Sequence, residues 1–280
     1  MKRRFIRKKC ISLIIAMLML LPVFCLGVSA DEGQAVNVYI DGQKYTGTAM
    51  LRNSVTYVGI REFSTAMGNV SVEWDDGTKT ATVKSDNLNI SSKNSGSYII
   101  ANERYLWAQS GIFIISGTMY VPLRTIAKAF NADVSWNGKE FAAYVVRKPG
   151  TIASGKNYYN ADDVYWLSRI ISAEAGVEPF YGKVAVGTVV LNRVKSSQYP
   201  NTIYGVIFDR KFGVQFTPAA NGTVYNEPNA DSIIAAKLCL DGASISDRVL
   251  FFVNDAIAES SWVRDNRSYV TTIGSHNFYA

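Results

Sequence analysis

The sequence predicts an α+β protein of two domains. A strand-helix-hairpin pattern occurs twice in the first half of the chain, and the second half is mostly apolar residues at helical spacing with short strand-like segments near its end. The 280 residues are enough for about two domains that each bury a core. We therefore expect a repeated strand-helix-hairpin module followed by a mostly helical domain with a small sheet.

The amino terminus has the layout of a secretory signal. Six basic residues precede the apolar run 11–26, and small residues end at Ala30. These features predict a signal peptide over residues 1–30, cleaved after Ala30. An uncleaved membrane anchor is the weaker alternative, because the run is short and interrupted by Pro22. We expect a secreted, wall-associated protein that meets the membrane only through this segment.

Charge and cysteine content indicate which binding partners and which disulfides to expect. The net charge of +6 equals the six basic residues of the predicted signal, and the remainder has 23 basic and 23 acidic residues. A balanced chain without a basic patch predicts no nucleic-acid partner. Cys10 and Cys25 lie in the signal, which leaves Cys239 alone in an apolar segment. We expect no disulfide and a buried, structural thiol.

The first domain, predicted at residues 31–147, contains the repeat. The segment 56–61 reads TYVGIR and recurs as MYVPLR at 119–124. A short helical stretch follows each copy, and then a tryptophan, Trp74 or Trp136, leads into a hairpin turn. Each copy is therefore expected to be a strand, a helix and a hairpin.

This repeat resembles the copper amine oxidase N-terminal-like domain, also called a stalk domain, of secreted bacterial proteins. The resemblance implies no copper, and residues 31–147 contain neither histidine nor cysteine to bind it. Arg61, Arg124, Trp74 and Trp136 are candidates for wall binding. Their recurrence in both copies favours roles in the core and in helix packing. We expect a spacer or a binding module for a wall or protein ligand.

The chain is organised around a helix predicted from Asn160 to Gly176, after a linker at residues 148–159. Asn160 is suited to cap it, and Gly176 is suited to a left-handed residue at its end. Glu174 shares a stripe with the apolar residues of this helix. Apolar neighbours and the negative end of the helix dipole would raise its pKa, as a general acid requires. Position alone leaves open that Glu174 extends to solvent.

The rest of the second domain, residues 160–280, is predicted mostly helical. We expect a helix over 181–195, a loop ending at 213–216, a helix opened by Pro228 and Asn229 that ends at Leu240, and two extended segments at 250–254 and 273–278.

Ordered motifs across residues 160–280 carry a second resemblance. They are Glu174-Ala175, Glu178-Pro179, Gly182, Val184-Ala185-Val186, Leu191-Asn192-Arg193-Val194, Pro200-Asn201-Thr202, Val206-Ile207-Phe208, Gln215-Phe216, Phe252-Val253-Asn254 and Gly274-Ser275-His276. The segment resembles the spore-cortex-lytic cell wall hydrolases of the SleB and CwlJ type. The resemblance implies a fold similar to goose-type lysozyme and lytic transglycosylases, with Glu174 as the catalytic glutamate. Gly176-Val177 departs from the family's basic residue and glycine, which affects the expected loop shape.

The implied activity is cleavage of the MurNAc–GlcNAc bond of peptidoglycan glycan strands by a lytic transglycosylase without a cofactor, in spore cortex during germination or in wall remodelling. Alternatives are muramidase-type hydrolysis, an amidase of the same polymer, or a non-catalytic wall-binding protein. The single histidine argues against a zinc amidase, since a catalytic zinc site needs several ligands.

Five further residues are site candidates. Glu178 is a possible second acid, with loop orientation or solvent exposure favoured. Asn192 is expected either to bind sugar or Glu174, or to cap the next turn. Gln215 and Phe216 suit sugar recognition by an amide and a ring. His276 is a substrate-site candidate for which a structural role is favoured.

Overall fold

The computed structural model describes residues 33–211, 213–258 and 260–280. The predicted signal peptide, with Cys10 and Cys25, lies outside these ranges. Residues 33–280 form one compact unit. In the described part of the chain, no helix has the length and apolar content needed to cross a bilayer. The predicted α+β class, with a β-rich first half and a helical second half carrying a small sheet, is confirmed.

The N-terminal half consists of short antiparallel sheets and two short helices. Its strands are β1 Gln34–Ala35, β2 Asn37–Ile40, β3 Gln43–Lys44, β4 Ala49–Arg52, β5 Val55–Gly59, β6 Ser71–Asp75, β7 Thr80–Ser85, β8 Leu88–Lys93, β9 Tyr98–Ala101, β10 Arg104–Trp107, β11 Phe113–Ile115, β12 Thr118–Pro122, β13 Ala132–Asn137 and β14 Ala142–Arg147. The helices are α1 Ile60–Met67 and α2 Leu123–Ala129. The sheet orders are β1-β4-β5-β12-β11, β10-β9-β8-β7-β6 and β13-β14-β2-β3, where only the β14–β2 pair is parallel among the described strands.

The repeat forms as predicted, as β5-α1-β6-β7 and β12-α2-β13-β14. The first strands of the two copies pair antiparallel, so the copies share one sheet. The arginines make equivalent contacts: Nη1 of Arg61 donates to the Val72 carbonyl at 2.8 Å, and Nη1 of Arg124 donates to the Val134 carbonyl at 2.5 Å. Each arginine therefore ties the helix of its copy to the following strand.

The core role predicted for the tryptophans is wrong. Trp74 and Trp136 are 39% and 40% exposed. Each lies one residue before the end of its strand, next to the hairpin turn, where the strand extends beyond the apolar core.

The strands between the two copies were not predicted. β8, β9 and β10 extend the sheet of the first copy, and Leu88 and Ile90 on β8 are buried. The alternation of apolar residues along β8 was the available signal.

The segment predicted as a linker packs against the N-terminal half. Ile152 is buried in the core of that half, and a short helix, α3 Gly155–Tyr158, follows it. The Gly155 N–H donates to the Asn102 carbonyl at 2.7 Å, and the Tyr105 N–H donates to the Tyr159 hydroxyl at 2.9 Å. These backbone contacts order a segment whose composition is typical of a flexible connection.

The C-terminal half is mostly helical. Its helices are α4 Ala161–Ala175, α5 Phe180–Lys195, α6 Ile203–Phe208, α7 Thr217–Asn221, α8 Ala230–Leu240 and α9 Trp262–Asn266, with a 3-10 turn at Thr223–Tyr225. Its strands, β15 Phe251–Val253, β16 Tyr269–Ile273 and β17 His276–Tyr279, form a sheet in the order β15-β17-β16. The tail thus has three strands where two extended segments were predicted. The missed strand β16 has the sequence YVTTI, whose β-branched residues are typical of strands.

Helix α4 begins as predicted and ends differently. The Asn160 side chain accepts hydrogen bonds from the backbone N–H groups of Asp162 and Asp163 at 2.8 and 3.1 Å. Gly176, predicted to be left-handed, has φ −57° and ψ −33°, so the chain continues in a right-handed turn. The Glu178 N–H donates to the Ala175 carbonyl, and this turn leads directly to α5.

The core of this half lies between α4, α5 and α8. Leu167, Ile170 and Ile171 on α4 are fully buried, as their spacing predicted. Cys239 is buried on α8, as predicted, and burial raises the pKa of its thiol to about 12. A Cβ at Gly187 on α5 would come 2.7 Å from Cys239 Sγ, so only glycine allows this close helix approach.

A buried ion cluster joins the two halves. Asp241, at the end of α8, accepts hydrogen bonds from Nε and Nη2 of Arg104 at 2.8 Å each. The Lys128 ammonium contacts both its side chain and its carbonyl at 2.6 Å, and the Tyr159 hydroxyl donates to it at 3.2 Å. The Asp241 side chain is 1% exposed. The N-terminal cations therefore fix the end of a C-terminal helix.

We predict that Asp241→Asn lowers the free energy of unfolding by about 3–5 kcal/mol, because it leaves the buried Arg104 without a counter-charge. Urea unfolding followed by circular dichroism measures this. Asp133→Asn is the matched control, because its ion pair with Lys148 is exposed and its loss costs less than about 1 kcal/mol. Equal losses in the two variants would contradict the structural role of the cluster.

Candidate active site

Glu174 lies in the last turn of α4, partly buried, at the end of the stripe formed by its apolar residues. Burial raises the pKa of its carboxyl from the ordinary 4.5 to about 7, and the charge of Arg193 opposes part of this rise. A carboxyl group with this pKa carries its proton in about half of the molecules at neutral pH. Such a group is able to donate a proton and to take one back.

Arg193 on α5 is the cation whose charge lowers the pKa of Glu174. It is 4% exposed, and burial lowers its pKa while Tyr199, Asp209 and Glu174 favour its charge. Its Nε donates to the Leu250 carbonyl at 2.8 Å, which holds the side chain against the strand that follows. The guanidinium lies over three aromatic rings at 5.0–5.5 Å, those of Tyr199, Phe216 and Phe251. The cation is therefore fixed in position, and its charge acts on the Glu174 carboxyl.

The loop residues predicted for sugar recognition have different surroundings. Gln215 is partly buried, and its Oε1 accepts a hydrogen bond from Nη1 of Arg193 at 3.3 Å. Phe216 is 2% exposed and packs against Phe252 with ring centroids 6.3 Å apart. The prediction that the Phe216 ring stacks on a sugar is wrong, because the ring fills the core at the start of α7.

Glu178 is a structural anchor of the site. Its carboxylate accepts hydrogen bonds from the Ser275 N–H at 3.0 Å and from the Ser275 hydroxyl. These bonds lower the pKa of Glu178 despite partial desolvation, and the bond from the Ser275 hydroxyl has the largest effect. Its side chain is 8% exposed, so the solvent-facing alternative is wrong and loop orientation is the role that the contacts support. It ties the α4–α5 loop to the β16–β17 turn.

The β16–β17 turn is shaped to receive Glu178. Gly274 has φ +59°, a left-handed conformation that favours glycine. A Cβ at this position would also overlap the Glu178 carboxylate, so both the backbone and the space require glycine. His276 follows the turn, is 7% exposed and packs edge-on against Phe252 at 5.2 Å. Its Nδ1 lies 3.9 Å from the Glu178 carboxylate, and burial lowers its pKa. His276 therefore has the structural surroundings that a lone histidine beside a strand suggests.

Asn192 is buried on α5, and its amide nitrogen donates to the carbonyls of Ser246 and Val249 at 2.9 Å each. These bonds attach α5 to the segment before β15. The Asn192 side chain therefore binds backbone carbonyls of the protein itself. The end of α5 is closed instead by the backbone N–H of Ser196.

The site therefore combines a carboxyl group with a raised pKa, Glu174, and a fixed cation, Arg193. The second carboxylate, Glu178, is kept ionised by its hydrogen bonds. Sequence reasoning gave Arg193 no role, although it follows Val189 and Val190 by four and three residues and so shares their buried stripe. That is the same signal that singled out Glu174. The Ser275 contact had no local signal, since it joins residues 97 positions apart.

Comparison with known proteins gives the two halves different relatives. Residues 39–145 match the copper amine oxidase N-terminal domain family, and residues 177–279 match the cell wall hydrolase family. The second match begins three residues after Glu174. Both resemblances predicted from the motifs are confirmed.

The chain is similar to spore cortex-lytic enzymes. It is 34% identical over 122 residues to one from Bacillus cereus, covering 44% of this chain and 46% of that protein. It is 33% identical over 120 residues to one from Bacillus subtilis, covering 43% of this chain and 38% of that protein. The chain thus spans less than half the length of these relatives.

Among solved structures, the catalytic domain of the germination-specific lytic transglycosylase SleB from Bacillus anthracis is 34% identical. The match covers 44% of this chain and 98% of that one, with a TM-score of 0.40. The chain therefore carries two segments that match different families, the copper amine oxidase N-terminal domain at residues 39–145 and the cell wall hydrolase at residues 177–279.

Proposed function

We propose that this protein cleaves the MurNAc–GlcNAc bond of peptidoglycan as a lytic transglycosylase, with Glu174 as acid and then base. The observation that carries the proposal is the contrast between two neighbouring carboxyl groups. Burial raises the pKa of Glu174 to about 7, whereas hydrogen bonds from Ser275 lower the pKa of Glu178. Two carboxyl groups with pKa values moved apart by their surroundings point to the one that donates the proton.

In the first step, protonated Glu174 donates its proton to the glycosidic oxygen, and the bond from MurNAc C1 to that oxygen breaks. The GlcNAc end leaves as an alcohol, and positive charge develops at C1. The MurNAc 6-hydroxyl then attacks C1 and loses its proton to the Glu174 carboxylate. The product is a 1,6-anhydro ring, and Glu174 regains its proton without consuming water.

Arg193 supports the first step through its charge. When Glu174 has given up its proton, the fixed cation stabilises the carboxylate that remains. Arg193 also limits how far burial raises the pKa of Glu174. Loss of the Arg193 charge would raise the pKa of Glu174 further, and the acid would give its proton to the leaving oxygen less readily.

The transglycosylase mode is favoured over hydrolysis because it needs one carboxyl group. An inverting or retaining hydrolase uses a second carboxylate at the reacting carbon. Glu178, the nearest candidate in sequence, has its carboxylate occupied by Ser275. The names of the relatives and the family description support action on cell wall or spore cortex, and we propose secretion to that compartment.

We predict that Glu174→Gln reduces glycan cleavage by about 10²–10⁴-fold, because an amide of the same shape has no proton to donate. Release of fragments from purified spore cortex and vegetative wall, analysed by mass spectrometry, measures this. Native protein is expected to give 1,6-anhydro ends. Reducing ends would instead establish hydrolysis.

The matched control is Asp162→Asn, which makes the same acid-to-amide change at the exposed start of the same helix. It should retain the native rate. Equal cleavage by the Glu174→Gln variant and native protein would exclude Glu174, and no release by native protein from any wall preparation would favour a non-catalytic wall-binding protein.

We predict that kcat/KM falls as pH rises through about 7, tenfold per pH unit at higher pH, because the free enzyme must hold the proton of Glu174. Initial rates on a soluble glycan between pH 5 and pH 9 measure the profile. A fall centred near the ordinary carboxyl pKa of about 4 would contradict the role given to burial.

A further inference from the structure

The two repeat copies build two equivalent grooves in the N-terminal half. The first groove lies between α1 and β6 of one copy and the β11–β12 hairpin, has a volume of about 390 Å³, and is lined by Arg61 and Trp74. The second groove lies between α2 and β13 and the β4–β5 hairpin, has a volume of about 680 Å³, and is lined by Arg124 and Trp136. Each groove is thus lined by the arginine of one copy and by an exposed tryptophan.

The first groove is the more acidic of the two, although Lys84 pairs with Glu73 and Lys79 pairs with Asp76. Glu62 and Glu73 line it, and Asp76 accepts a hydrogen bond from the indole N–H of its tryptophan at 3.4 Å. The positions equivalent to the two glutamates in the second groove are Thr125 and Ser135.

The second groove is aromatic, and Arg124 is the one charged residue among the described residues that line it. Gln109 adds a further neutral polar group, and Trp107 and Phe141 add rings beside Trp136. A groove that combines uncharged hydrogen-bonding groups with aromatic rings, of which Trp136 is exposed, has the chemistry that recognises sugar rings.

The backbone conformation of Phe141 places its ring against the exposed indole of Trp136. It has φ +49°, a left-handed conformation that is unusual for an aromatic residue, at the end of the β13–β14 turn. Its ring packs edge-on against Trp136, with centroids 5.3 Å apart. The equivalent position in the first copy is Lys79, with φ +55°, so the turn geometry is shared and only the second copy places a ring there. The fold thereby places a ring against Trp136 while the indole stays 40% exposed.

The second groove adjoins the hydrolase half. Nε2 of Gln109 donates to the Tyr181 hydroxyl at 2.8 Å, and the Trp107 ring lies 5.6 Å from the Tyr181 ring. Tyr181 is in the first turn of α5, seven residues after Glu174. Residues that line the groove therefore contact the helix that follows the candidate active-site loop.

We propose that the second groove is a binding site for a peptidoglycan glycan strand, with Trp136 stacked on a sugar ring. Arg124 uses Nη1 on the Val134 carbonyl, and the other N–H groups of its guanidinium suit a carboxylate of a stem peptide. The site would hold the polymer next to the half that cuts it. This inference rests on the proposed action on peptidoglycan, because that action is what brings the glycan to the protein.

The most specific test is ¹⁹F NMR of the full chain carrying Glu174→Gln and labelled with 5-fluorotryptophan. The chain has five tryptophans, and single Trp→Phe variants assign their resonances. Addition of chitotetraose, a neutral glycan, should shift the Trp136 resonance in a saturable way and leave Trp74 unchanged. A Trp136 resonance that does not move up to millimolar chitotetraose would overturn the proposal.

An affinity series gives an independent readout. In the Glu174→Gln background, Trp136→Ala should weaken co-sedimentation with purified peptidoglycan by about fivefold, and Trp136→Phe by less. Trp74→Ala is the matched control, because it removes the equivalent tryptophan from the more acidic groove, and its binding should equal that of the parent. Circular dichroism checks that each variant is folded. Equal binding by Trp136→Ala and the parent would overturn the proposal.

These results are separable from the proposed activity. If native protein released no fragments while chitotetraose shifted Trp136, the catalytic proposal would fail and the glycan site would stand. If native protein cleaved wall while Trp136 stayed unmoved, the reverse would hold.

Discussion

The candidate active site of the helical half depends on the partial removal of one carboxyl group from water. Glu174 is on the buried stripe of α4, where the apolar residues that stabilise the helix also raise the pKa of the acid. Ionisation there costs solvation free energy, and a fixed cation, Arg193, limits that cost. The same packing therefore stabilises the helix and raises the pKa of Glu174, and a change that opened this end of the helix to water would affect both.

The surroundings of Glu174 are held by contacts between distant parts of the chain. Glu178 fixes the loop after α4 to the turn at Gly274 and Ser275, near the end of the sequence. Asn192 and Arg193 attach α5 to the segment that leads into β15. Two residues of the predicted site, Asn192 and Glu178, thus attach backbone segments of this half to one another.

How much the sequence predicts depends on the range of the interaction. The cap at Asn160, the stripe that ends at Glu174 and the repeated strand-helix-hairpin follow from local periodicity and turn chemistry, and they were predicted. Phe216 was misjudged because a loop position indicates exposure, whereas packing against Phe252 decides it. The contact of Arg104 with Asp241 joins residues 137 positions apart, and no local pattern predicts it.

The two halves are joined by the Asp241 cluster and by aromatic contacts along α5. A segment that composition suggests is flexible is instead ordered by backbone hydrogen bonds. This construction gives the N-terminal half a fixed surface beside the helix that follows Glu174. That surface carries the aromatic groove of the second repeat copy.

The central claim is that burial, and no second acid, sets the protonation of Glu174. It is tested most directly by NMR titration of the apo protein with ¹³C-labelled glutamate, with the Glu174 carboxyl resonance assigned by its loss in Glu174→Gln. We expect a midpoint of about 7. A midpoint near the ordinary 4.5, in a protein that still cleaves glycan strands, would contradict the account.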